Sequence, residues 1–354
     1  MKLIDCEVFR VDIDFHFGTV YVLSRWAGFG SESSKLIATS SQYVDDNIDN
    51  RDGDKSSSRD TGYDITPDGK IIRYSGHELW DNLWSKDGNE EIWIPYHFLP
   101  GLVGETEEEK LICKKHSILS KELKNRLSGI NYQTDSNYCF TLGVGLHVFA
   151  DTWAHQEFSG VPSLQNIVKD LAVDILNKDN WSSISEILDL AKSTALNIAY
   201  APLGHAAAIH WPDKPYARWK SSKFPNGRDN CTEFLEAAEE CYEVLAAVSG
   251  DRPPQLDDDM REMLRNAFME IRDDEGADRN AIWLDWIKNN AFGFDDFDEG
   301  DESITYDMDF IMGDADFHDQ FFEAVNDYYV WCQSRLEENG IKCVGYFENG
   351  DKIC

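Results

Sequence analysis

The sequence is short of positive charge. It sets 33 Lys and Arg against 66 Asp and Glu, a formal net charge of −33 over 354 residues. Such a surface repels nucleic-acid phosphates and anionic membranes. A nucleic acid is therefore expected as a partner only if a local cationic or metal-filled cleft accommodates it. No apolar run reaches the ~20 residues that span a bilayer, so no membrane association is expected. The start, MKLIDCEVFRVDIDFHFG, lacks a basic flank followed by an apolar run, which speaks against a secretion signal. Any Cys-x-x-Cys pair is missing too: the 8 cysteines are scattered at 6, 113, 139, 231, 241, 332, 343 and 354. That excludes a zinc ribbon or disulfide framework and predicts reduced thiols in a cytoplasmic protein. No Walker loop, dinucleotide-binding glycine pattern, His-Glu-x-x-His helix or Ser/Cys nucleophile motif occurs.

What is present is enough apolar material, 42 % of residues, for a globular protein with a sizeable core. The most informative stretch is TLGVGLHVFADTWAHQEFSG, residues 141–160. It places His147, Asp151 and His155 at four-residue intervals. On an α-helix each such step advances about 40°, so all three leave one face in successive turns. Their neighbours Leu146, Val148, Phe149, Ala150, Trp153 and Ala154 are apolar. Three metal-capable groups on an otherwise buried helix are costly unless a cation neutralises them. Imidazole with carboxylate suits zinc foremost, and also manganese, iron or nickel. The competing interpretation is a set of core histidines satisfied by local hydrogen bonds.

Other candidates precede and follow that helix. Asp14-Phe15-His16 is followed by a helical run that opens at Gly18 and is closed by Gly28 and Gly30, and Ser31, Ser33 and Ser34 offer caps for the next helix. That helix ends in Gln42-Tyr43-Val44-Asp45-Asp46, with one of the two acids turned to the buried side. Residues 47–62 read as a polar loop, and Pro67-Asp68-Gly69-Lys70 as the turn of a short β-hairpin. His97, in the proline-bracketed Pro95–Gly101 loop, is a ligand, a substrate contact or a packed loop residue. Residues 105–129 suggest one or two short helices, and apolar spacing predicts further helices over 163–178 and 182–200. In the segment from Ala201 to Asp213, His205 sits among small residues and is the next ligand candidate. His210 is a weaker candidate, a substrate contact. Asp213 orients a histidine from behind or caps a turn. A basic island of Lys214, Arg218, Lys220, Lys223 and Arg228 could receive phosphate or pair with neighbouring acids, Arg218 being the candidate substrate contact. Beyond it lie a helix over 232–248 capped by Thr232, acidic helical segments, an aromatic helix over 316–337 whose His318 is expected to be structural, and an Asn349-Gly350 hairpin turn.

Together, Asp14-Phe15-His16, Gln42-Tyr43-Val44-Asp45-Asp46, the Leu146-His147-x-x-x-Asp151-Thr152-x-x-His155 helix and Gly204-His205 resemble an uncharacterised bacterial family of unknown function. The resemblance covers about residues 12–245. The central helix is also similar, more distantly, to the zinc-dependent phospholipase C and single-strand nuclease superfamily. That second resemblance implies a mostly helical fold offering His-x-x-x-Asp pairs to a metal cluster. This chain departs from the superfamily in having no second His-x-x-x-Asp/Glu helix and no processed N-terminal tryptophan ligand.

The expectation is a mainly α protein, a multi-helix core with small β-hairpin insertions. Residues 1–250 would form a helical metal-binding core with a hairpin insertion at about 47–90. Residues 251–354 would form an acidic helical region ending in a hairpin and packed on that core. One or two divalent ions are expected among Asp14, His16, Asp45, Asp46, His147, Asp151 and His205, with Asp151 and His155 as the catalytic pair. The substrate would be a small anion or phosphoester, possibly a nucleotide or nucleic-acid phosphodiester. The alternatives are a metal-bound helical protein without catalysis and an acidic interaction protein that mimics nucleic acid.

Overall fold

The computed structural model describes residues 13–48, 63–66, 69–76, 86–174, 182–183, 204–205, 208, 211–272, 276–341, 346–348 and 351–353. The fold is mainly α. A π-helical turn, Asp14–Thr19, runs straight into α1 (Val20–Trp26), and every residue of both is buried. The helical run therefore starts four residues before the glycine that was expected to open it. Gly28, at φ 101°, then reverses the chain. α2 (Ser31–Asp46) follows, with Gly30 rather than a serine at its N-cap. Ser31 instead bonds to Asp298, 3.0 Å away.

α6 (Tyr138–Ala154) is the central element. Every residue from Cys139 to Ala154 except Thr141 is buried, as befits a helix apolar on all sides. It packs against α2, α5 (Ile118–Ser128), α7 (Asn230–Ser249) and α12 (Ala315–Glu338). Contact with α2 is closest at Gly143. A Cβ there would lie 2.5 Å from the Ile37 carbonyl oxygen and 2.6 Å from Ser40 Cβ, so only glycine lets the two backbones approach. That approach brings the C-terminal turn of α2, with its acids, beside His147.

The elements between are short. β1 (Tyr63–Ile65) pairs with β2 (Ile71–Arg73) in the expected hairpin. α3 (Lys86–Tyr96) includes Pro95 in its last turn, so the expected 95–101 loop begins two residues later, at His97. His97 and Phe98 both return their N–H groups to the Trp93 carbonyl, closing that helix. α4 (Glu107–Lys110) carries a capping box from Thr106 and Glu109, and Ser117 caps α5.

The expected helix over 163–178 does not form in the described part. Leu164–Asn166 is a single 3-10 turn, Asp170 sits at φ 55°, and β3 is Ala172–Val173. Asn166 holds the preceding loop by bonding the Ser159 and Val161 backbones, and the left-handed residue breaks any helix before it can propagate. β3 joins β4 (Ser182–Ser183), β5 (Arg218–Lys220) and β6 (Arg228–Asp229) in an antiparallel sheet of order β4-β3-β5-β6. The apolar residues Leu171 and Val173 serve a satellite core with Trp219, Phe158 and Phe98. Of 182–200, where the second helix was expected, only Ser182 and Ser183 are described, and they form β4; 184–200 lie outside the described residues.

α7 is capped by Asp229, which accepts the Thr232 N–H, and not by Thr232 itself. α8 (Asp258–Glu270), α9 (Gly276–Lys288), α10 (Glu299–Glu302) and α11 (Met308–Gly313) then lead to α12, and β7 (Tyr346–Glu348) pairs with β8 (Asp351–Ile353). A single apolar core runs from Phe15 to Ile341. Buried polar links cross it: Arg25 Nε donates to Asp301 at 2.8 Å, and Tyr21 donates to the same carboxylate at 2.6 Å. The cysteines at 113, 139, 231, 241 and 332 are buried free thiols.

Candidate metal centre

Five side chains from four elements converge at the C-terminal half of α6. His16 comes from the π-turn, an irregularity often found at functional positions. Asp45 ends α2, His97 follows α3, and His147 and Asp151 stand one turn apart on α6. Asp151 is the hub. Its Oδ1 lies 3.1 Å from His16 Nε2. Its Oδ2 lies 3.3 Å from His97 Nδ1, 3.4 Å from His147 Nε2 and 3.5 Å from His155 Nδ1. Asp45 Oδ1 is 3.6 Å from His97 Nδ1 and 3.7 Å from His147 Nε2. His16 and His147 stack, with ring centroids 3.9 Å apart.

The tautomers are set from outside the cluster. His147 Nδ1 donates to the Ser41 carbonyl at 2.8 Å, His97 Nε2 to the Ser75 carbonyl at 2.7 Å and His155 Nδ1 to the His97 carbonyl at 2.6 Å. A proton held by a carbonyl leaves a lone pair on the other ring nitrogen, the arrangement that orients metal-ligating histidines. Burial, reinforced by the neighbouring His16, pushes His147 down to about 3, so it is neutral near pH 7. Burial likewise takes His155 down to about 4. For Asp151 burial acts upward, but the surrounding His155, His147 and His16 outweigh it and hold the carboxyl well below its usual range. Thus the lone pairs of His147 Nε2 and His97 Nδ1, 3.4 Å apart, face each other and two carboxylates. Acceptors arranged this way repel one another, and together they fit the shell of a cation.

Among the described residues, three sets of ligand atoms lie within 4.8 Å of one another: His16, Asp45 and His147; His97, His147 and Asp151; and His155, His205 and Asp213. These buried clusters could hold a metal ion. The third set is built separately. His155 caps the C-terminus of α6, His205 follows Gly204 (φ 51°), and Asp213 ends a 3-10 turn, Trp211–Asp213.

The other sequence candidates have different surroundings. Asp14 points away from the cluster, accepting from Arg279 Nε at 2.6 Å and Trp283 Nε1 at 2.7 Å. Asp46 accepts from the Tyr306 hydroxyl at 2.6 Å and Gln42 Nε2 at 3.3 Å, leaving Asp45 as the acid beside the histidines. Arg218 pairs with Asp174 at 3.1 Å and Asp229 at 3.9 Å, away from the cluster. His210 lies outside the described residues. His318 packs on Tyr43, Phe317 and Phe322. Two members of the basic island support the centre's frame instead: Arg228 donates to the Trp153 and Ala154 carbonyls at the end of α6, and Lys223 to the Glu157 carbonyl at 2.6 Å. Two residues take more central places than the sequence indicates. His97, offered as a ligand or a substrate contact, stands among the ligand atoms, and Asp213, placed behind a histidine, faces two of them directly. A histidine in a proline-bracketed loop was the only signal for the first. The Trp-Pro-Asp turn was the only one for the second.

Fold and site together define a mainly helical protein with buried His/Asp clusters able to hold metal. The chain belongs to the family DUF6765, a family of unknown function, whose model matches residues 11–337. That match takes in the acidic helices after residue 250, which the motif resemblance had left out. No curated protein and no solved structure matches the chain, and the more distant similarity to the phospholipase C and nuclease superfamily is not confirmed.

Proposed function

We propose that this protein is a metal-dependent hydrolase of a phosphoester, with a nucleotide or nucleic-acid phosphodiester as the substrate class to test first. The observation that carries the reading is the convergence of His and Asp acceptor atoms on Asp151. His16, Asp45, His97, His147 and Asp151 would hold the ion, zinc first and manganese, iron or nickel next. A bound divalent ion would supply a water of lowered pKa and polarise a phosphoryl oxygen. The chain's own residues do the rest. Asp151 has two oxygens directed at different histidines and so can serve two ligand positions. Ser41 and Ser75 hold imidazoles in the ligating tautomer through their carbonyls. His155, whose buried Nε2 has no hydrogen-bond partner, has a nitrogen to offer either as a general acid/base or as a ligand. In this reading residues 1–250 carry the metal and 251–354 pack on them.

Burial favours a second reading. His147 and His155 are 0 % exposed, which suits a structural ion without turnover. The discriminating experiment loads the purified chain with Zn2+ or Mn2+ and supplies bis(p-nitrophenyl) phosphate, cyclic nucleotides and single-stranded DNA. The hydrolase reading predicts metal-dependent turnover that Asp151→Asn abolishes. A folded, stoichiometrically loaded chain inert toward all three would support the structural-ion reading instead.

A further inference from the structure

We infer that His155, His205 and Asp213 form a second, separately loaded metal position with an open coordination sphere, distinct from the one around Asp151. His155 Nε2 is fully buried and has no hydrogen-bond partner, although its ring is fixed by the 2.6 Å bond from Nδ1 to the His97 carbonyl. That bond directs the Nε2 lone pair away from Asp151 and toward Asp213 Oδ1, 3.8 Å off. His205 Nε2 reaches the same oxygen at 3.4 Å. The two imidazoles lie side by side, centroids 5.0 Å apart and 28° from coplanar. Two nitrogens and a carboxylate oxygen thus meet within 4.8 Å. Phe98 stacks on His155 at 4.5 Å and Phe158 stands edge-on to His205 at 6.0 Å, so apolar walls close two sides and hold the rings in place.

The ligand count separates this position from the first. Around Asp151 five side chains compete for one region, enough to fill a tetrahedral or five-coordinate shell. Among the described residues three protein ligands meet here, which leaves at least one position for water or substrate, the pattern of catalytic rather than structural sites. The supporting elements differ in part. His155 ends the same α6 that carries His147 and Asp151, but His205 and Asp213 come from the segment that leads into the sheet, whereas the rest of the first set hangs on the π-turn, α2 and α3. His97 joins the two positions mechanically. Its imidazole belongs to the first and its carbonyl orients His155 in the second.

This inference rests on the metal reading of the site, and the test separates the two. The metal-free full chain is titrated with Co2+, with bound metal counted by elemental analysis after desalting and followed by visible absorption. Wild type is expected to take up two equivalents in two phases. His205→Ala and Asp213→Asn should each lose one equivalent and one phase, while His147→Ala loses the other. Circular dichroism checks that each variant is folded, and the near-isosteric Asp213→Asn keeps the test usable if His205→Ala is not. Two equivalents retained in both His205→Ala and Asp213→Asn would overturn the second position and leave the first standing. One equivalent in wild type, lost only in His147→Ala, would do the same. No uptake by wild type would overturn both.

Discussion

Asp151 owes its role to its neighbours more than to its own chemistry. It is a buried carboxylate that four histidines approach within 3.5 Å, two of them, His97 and His147, with the far ring nitrogen committed to a backbone carbonyl. The same logic separates Asp45 from Asp46. One faces His97 and His147, and the other is engaged by Tyr306. Asp45→Asn should therefore weaken metal binding by ten- to a hundredfold on the scale of a disturbed ligand shell, while Asp46→Asn leaves it within about twofold. Equilibrium dialysis against a chelator series measures both, and equal losses in the two variants would refute the assignment. Away from the centre, Arg25 is the most exposed to mutation in energetic terms. Its guanidinium meets Asp301, fully buried, and Asp296. Arg25→Met leaves the Asp301 charge underpaired, and we expect a loss of about 3 kcal/mol in urea unfolding. A change below about 1 kcal/mol would mean that Tyr21 and water suffice.

At the scale of elements, the close approach of α2 and α6 places Asp45 beside His147. Gly143→Ala adds a methyl group against a carbonyl oxygen at 2.5 Å. Helix propensity favours alanine by about 1 kcal/mol, but backbone overlap is the larger effect, and a net loss of about 1–3 kcal/mol is expected. Thermal unfolding measures it, and a stabilised variant would show that the helices can separate at no cost. This is also the scale at which the sequence was unevenly legible. The four-residue spacing of His147, Asp151 and His155 sits on a continuous, capped-off apolar helix, and periodicity suffices to read it. The segment after Pro162 has apolar residues at helical spacing too, yet Leu171 and Val173 are buried from a strand. Spacing of three and four does not reveal that Asp170 turns left-handed or that Asn166 captures the loop backbone. His97 was visible only as a histidine in a loop. Its partner Ser75, like Ser41 for His147, acts through a main-chain carbonyl, which leaves no trace in residue type.

For the whole molecule, the acidic balance and the centre are linked. A net charge of −33 makes cation binding favourable and anion approach costly. Arg228 and Lys223 are spent on backbone carbonyls around the end of α6, and Arg218 on Asp174 and Asp229. A phosphoester would thus depend on the ions themselves for charge compensation. Among the described residues no helix is long and apolar enough to cross a membrane. Because ligand atoms from α2, α3 and α6 meet at the centre, metal should stabilise the packing of these elements and with it the fold. A hundredfold excess over Kd is worth about 2.7 kcal/mol for one site. The melting temperature should fall on chelation and recover on adding Zn2+ or Mn2+, and an unchanged melting curve would argue that the histidines are satisfied without an ion.

The most direct test of the central claim is elemental analysis of the purified chain beside His147→Ala and Asp151→Asn. The account predicts stoichiometric transition metal in the wild type, and at least one equivalent lost in each variant with helical content retained. A wild type that stays folded and metal-free after incubation with Zn2+, Mn2+ and Fe2+ would contradict it, and the cluster would then be a set of structural histidines.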